Sequence, residues 1–150
     1  MRIIFIGLVA AVGLALPAQA APFVAVDASP SFVAMLDRGS VKPVSDKLEA
    51  EALVVAAKGQ VMIAQVRFDC GRRAWQTLSE RMVKPDLTAT PPRLLSGPPQ
   101  TVSPGSIGES LLEMACFNRL KNQTGGWSRP TLKEAIDAGR AIMARESGAR

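Results

Sequence analysis

The chain has no histidine, no tyrosine and only two cysteines. These absences remove several kinds of chemistry. Without an imidazole base, a Ser/His/Asp set cannot be assembled, and a cysteine nucleophile lacks its usual activator. A zinc site takes about four ligands, commonly Cys and His, and this composition does not supply them. No Cys-x-x-Cys pair occurs, so a dithiol redox motif is excluded as well. Carboxylate pairs such as Glu109 with Glu113, or Glu49 with Glu51, are the residual argument for an enzyme. On a helix that spacing describes a solvated face, and no spacing points to a Ser–Lys dyad. The sequence therefore reads as non-enzymatic, with no catalytic residue, cofactor or metal site.

Beyond residue 20 the chain also lacks a long apolar run. The one such run is Ile3 to Leu16, preceded by Arg2 and followed by Pro17 and the small-residue site Ala18-Gln19-Ala20. It is short for a bilayer span, which takes about 20 apolar residues, and has the three parts of a secretory signal. The expectation is a cleaved signal at residues 1–20 and a mature chain from about Ala21. That chain would be periplasmic or secreted and would carry no transmembrane segment. No cysteine lies near the cut to take a lipid anchor.

Two cysteines in an exported chain have one pairing, Cys70 with Cys116, and the compartment favours it as a structural bridge. The flanking patterns say what it would join. From Val61 to Cys70, "VMIAQVRFDC" alternates, with Met62, Ala64, Val66, Phe68 and Cys70 on one face and Gln65, Arg67 and Asp69 on the other. That period of two predicts a strand with one buried face. Leu48–Ala57 before it and "RAWQTLSERMV" after it predict flanking strands, hence an antiparallel meander. "FVAVDAS" and "SFVAML" predict two short strands further upstream. Around Cys116 the reading changes to helix. Ser106 and Glu109 have capping-box spacing, and Gly108, Leu112 and Cys116 form a stripe four residues apart. Gly108 would let the helix approach a neighbour closely. The Gly105–Gly108 stretch at the helix start could also hold an anion on its backbone amides.

Residues 85–104, with Pro91-Pro92 and Pro98-Pro99, read as a long exposed proline-rich loop. Residues 118–150 read as a linker followed by an amphipathic helix, capped by Ser128 or Thr131, that packs on its own domain or docks on a partner. The fold class is thus α+β: a small antiparallel sheet at residues 21–117 packed with a disulfide-linked helix, plus a carboxy-terminal helix.

The chain carries 18 Lys and Arg against 13 Asp and Glu. Such a balance often marks nucleic-acid binding, but an exported protein meets other anions: lipid head groups, sugars and acidic proteins. Arg72 and Arg73 follow Gly71 at a predicted turn. With Arg81, Lys84 and Arg93 they are expected to form one positive surface for an anionic partner.

"VRFDCGRRAWQTLSE" followed by "SPGSIGESLLEMAC" resembles the surface-adhesin protein E family of bacterial exported proteins. That family has an aromatic-Asp-Cys strand, a Ser-containing return strand, a proline-rich stretch and a Pro-Gly-Ser-Ile/Val-Gly-Glu-x-Leu segment ending in Cys. The resemblance runs from about Phe32 to Cys116. It implies an antiparallel sheet packed with a helix, a Cys70–Cys116 disulfide, dimerisation, and binding to envelope or extracellular host proteins. The alternative is a periplasmic structural or assembly component without adhesin activity.

Overall fold

The computed structural model describes residues 23–120 and 127–148. The signal expected at residues 1–20 and the middle of the predicted second linker lie outside the described residues. Five long strands follow one another: β1 (Phe23–Ala28), β2 (Phe32–Val44), β3 (Lys47–Ala56), β4 (Val61–Asp69) and β5 (Ala74–Met82). Each pairs antiparallel with the next, as short turns require. The meander is therefore wider than the three strands that alternate most clearly, and β2 is a long strand where a short one was expected.

The proline-rich segment departs from the reading of a free loop. It runs back along the outer edge of β5 as two short strands, β6 (Arg93–Leu94) and β7 (Gln100–Thr101). Between them the Gln76 side-chain amide donates to the Gly97 carbonyl at 2.6 Å. Prolines cannot donate from the backbone, so they suit a strand whose outer side has nothing to pair with. The segment's side chains are largely exposed while its backbone closes the β5 edge. At the other edge, β8 (Ser128–Arg129) pairs with β1. The eight-stranded antiparallel sheet has the order β6-β5-β4-β3-β2-β1-β8, with β7 also on β5.

Two helices cover the sheet, one on each face. α1 (Ile107–Phe117) lies on the face formed by Ala50, Ala52, Ala64, Val66 and Phe68. α2 (Leu132–Gly148) lies on the opposite face, against Val33, Met35, Leu53, Val55, Val61 and Ile63. Full burial of one such side chain, Leu112 or Leu53, contributes about 2 kcal/mol. The expectation that the strand at Val61–Cys70 buries one face is thus corrected: Val61 and Ile63 point to the second helix. The carboxy-terminal helix is capped by Thr131, whose Oγ1 accepts from the Glu134 amide at 3.2 Å. It packs on the chain's own sheet and approaches closely where it has glycine: a Cβ on Gly139 would lie 3.1 Å from Met35 Cε. No helix among the described residues is long and apolar enough to cross a membrane.

Candidate functional site

The end of the sheet near Cys70 is fastened to α1 three times. The Cys70–Cys116 disulfide joins the end of β4 to the last turn of the helix, with Cα atoms 5.8 Å apart. Arg73, in the β4–β5 turn, places its guanidinium between two buried carboxylates of α1. Nη2 lies 3.2 Å from Glu109 Oε1, and Nη1 lies 2.8 Å from Glu113 Oε1. At the start of the helix Ser106 Oγ accepts from the Glu109 amide at 3.2 Å. Glu109 reaches back to accept from the Gly105 amide at 2.8 Å. The capping-box spacing is therefore realised, and the Gly105 amide considered for an external anion is taken by Glu109. Gly108 then lets the helix settle on Trp75, since a Cβ there would stand 2.9 Å from the indole Nε1.

The cations expected to share one surface are distributed. Arg72 stands in solvent, 86% exposed, with Asp69 Oδ2 at 3.9 Å. Arg73 is the helix anchor. Arg81 reaches diagonally across the polar face to Glu51 at 2.8 Å, and Arg93 pairs with Glu80 along the capped edge. Lys84 lies past the far end of β5, a strand's length of about 30 Å from the Arg72–Arg73 turn at normal strand rise. The structure does not bring the five together, because β5 separates the turn arginines from Lys84 and the pairing register assigns Arg81 and Arg93 to carboxylates.

A different feature emerges from the offset of the two helices. Each covers part of one face, leaving a part of each face open. The part not covered by α2 carries Glu49, Glu51, Gln65 and Arg67, and Arg67 holds Glu49 at 2.6 Å. Ion pairs across neighbouring strands are what a solvated sheet face supports. The part not covered by α1 is apolar instead. Val54 faces Met62 across the β3–β4 pair, half-buried, beside the Ala52–Ala64 pair that α1 buries. These residues, with Val66, Trp75, Ile107, Gly108 and Leu111, line a cleft of about 500 Å³ between the first turns of α1 and the sheet. Its rim is polar and mostly uncharged: Thr77, Gln100, Thr101, Ser103 and Ser106. The rim carboxylate, Glu80, is tied to Arg93. A β-bulge at Leu78 shifts the register, so that Thr77 and Glu80 both lie on the cleft side of β5.

Such a cleft can take apolar side chains on its floor and satisfy a few neutral polar groups at its rim. Among the described residues, no group of three His, Cys, Asp or Glu side chains comes together to hold a metal. The cleft leaves a faint signal in the sequence. Leu53-Val54-Val55 and Val61-Met62-Ile63 are continuous apolar runs rather than alternating ones, and both faces of a strand must be in use where that happens.

No family model, curated protein or solved structure matches the chain.

Proposed function

We propose that the chain is an exported, non-enzymatic binding protein of the kind that the resemblance to surface-adhesin protein E implies. In this reading the cleft between α1 and β3–β5 meets an envelope or extracellular protein partner. One observation carries it: the open part of the α1 face is apolar, whereas the open part of the other face is laced with ion pairs. Burying apolar surface is worth about 25 cal/mol per Å², and Val54, Met62, Trp75 and Ile107 stay half-buried beside the polar rim, where a partner can cover them. The rim, whose one carboxylate, Glu80, is tied to Arg93, favours a peptide segment over a charged small molecule. Hydroxyl and amide side chains can satisfy a partner's backbone groups, and the floor can hold one or two of its apolar side chains. β-strand addition is disfavoured at the β5 edge, which β6, β7 and their prolines already close.

The test is site-directed photocrosslinking. A photoreactive residue replacing Thr77, on the cleft side of β5, should give a discrete protein adduct in the envelope or secreted fraction. The same residue replacing Gln65, on the opposite face, should not. Adducts of equal yield from both positions, or none from Thr77, would overturn the reading. Mature protein should begin near Ala21, and an intact Met1 on membrane-bound protein would overturn the export part alone.

A further inference from the structure

On the other side of the sheet, a second and smaller pocket of about 220 Å³ lies between α2, the β3–β4 turn and the segment after β5. It does not depend on the cleft. Its floor is apolar, formed by Val61, Val83 and Ile136, of which Val61 and Ile136 are buried. Its walls carry three cations, Lys84, Lys133 and Arg140, and one acid, Asp137. Lys133 Nζ and Asp137 Oδ2 are 2.7 Å apart and satisfy each other. That leaves Lys84 and Arg140 facing the same pocket, neither with a carboxylate within ion-pair distance among the described residues. Other arginines differ in this respect: Arg67, Arg81 and Arg93 each have one such carboxylate and Arg73 has two.

Arg140 feels the Asp137 carboxylate at longer range, but the wall still carries three cations against one acid, and this excess over an apolar floor selects for a ligand with both properties. A dianionic head suits them better than a single carboxylate, and a guanidinium binds phosphoryl oxygens in a two-pronged way. The pocket falls below the roughly 300–1,000 Å³ of drug-sized sites, so the apolar part must be short. We propose that this pocket binds a small phosphomonoester with a short alkyl stem. Lys84 and Arg140 hold the phosphoryl group, and the stem rests on Val61, Val83 and Ile136. The same chemistry occurs in a soluble metabolite and in the head group of a phosphatidic-acid-type lipid.

Calorimetric titration with butyl phosphate, inorganic phosphate and butanol tests it, at low salt because exposed charges are screened within about 10 Å at 0.1 M. Butyl phosphate should bind at least about tenfold more tightly than inorganic phosphate, since each buried methylene adds favourable transfer energy. Lys84→Gln and Arg140→Gln should each weaken it on the order of tenfold, the usual scale for losing one charge-assisted hydrogen bond. Lys42→Gln, on the β2–β3 hairpin, should change nothing. Both tested side chains are exposed, so circular-dichroism melting should confirm that the variants fold. Vesicles of phosphatidylcholine with and without phosphatidic acid assign the source. Capture by the acidic vesicles supports a lipid, and butyl phosphate binding without capture supports a soluble ester. Equal affinity for inorganic and butyl phosphate, or unchanged affinity in the Lys84→Gln/Arg140→Gln double variant, would overturn the proposal.

Discussion

Arg73 is a sensitive point in the scaffold. It is the single guanidinium that bridges Glu109 and Glu113, whose side chains are each only 7% exposed. Arg73→Ala leaves two carboxylates one helical turn apart, buried and without that cation. Breaking a fully buried pair costs about 3–5 kcal/mol. Arg73 itself is 43% exposed, so water weakens the pair, and Glu109 keeps the Gly105 amide. A loss of about 2 kcal/mol is the reasoned value. Two further variants separate charge from backbone. Arg73 has a φ of 49°, a region that costs a non-glycine residue about 1–2 kcal/mol. Arg73→Gly should therefore be less damaging than Arg73→Ala by about 1 kcal/mol. Glu113→Gln should be partly compensatory in the Arg73→Ala background, because it removes one of the stranded charges. The assay is urea unfolding with the disulfide intact, analysed as a double-mutant cycle. Coupling between Arg73 and Glu113 inside the roughly 0.3–0.5 kcal/mol scatter of independent sites would refute the reasoning.

Other outcomes follow from the same geometry. Thiol labelling of the denatured, unreduced protein should be negative. Cys70→Ser and Cys116→Ser should destabilise to the same degree, up to about 4 kcal/mol for a loop of this length, as read by denaturant melts. Gly108→Ala should lower Tm despite the better helix propensity of alanine, because its Cβ meets the indole of Trp75 at 2.9 Å. Overpacking of this kind costs about 1–3 kcal/mol. Gly148→Ala, with nothing within 4 Å, is the control and should leave Tm unchanged. Asp137 should titrate below the ordinary aspartate range, because the hydrogen bond from Lys133 stabilises its ionised form. Its contribution is then present above the unfolded-state value and is lost as pH falls through the folded one. NMR titration of the carboxyl reads this directly, and an ordinary midpoint would contradict the pairing.

The parts of the fold legible in the sequence were those set by local rules. Alternation predicted β3, β4 and β5. Cap spacing predicted α1, and the pairing of Cys70 with Cys116 followed from there being two cysteines in a chain read as exported. The missed parts depend on contacts that local rules do not encode. Proline signalled that residues 85–104 could form neither helix nor central strand, but not that their carbonyls and remaining amides would seal the β5 edge. Proximity in sequence does not set the partners of the arginines. In the sheet, Arg81 and Arg93 find Glu51 and Glu80 through cross-strand register, and Arg73 finds its partners on a helix 36 residues away from it at Glu109. The cleft was hidden because it results from where α1 stops covering the sheet. Within the sequence only the unbroken apolar runs at Leu53–Val55 and Val61–Ile63 hinted at two occupied faces.

The most direct measurement is a methyl spectrum of the protein labelled with ¹³C at methionine, recorded with and without the partner recovered by crosslinking from Thr77. Met62 lines the cleft, whereas Met35 and Met143 are buried between the sheet and α2 on the opposite side. The account predicts that the Met62 methyl shifts or broadens on binding while Met35 and Met143 hold their positions. A response confined to Met35 and Met143, with Met62 unmoved, would place the binding surface on the other face and contradict it.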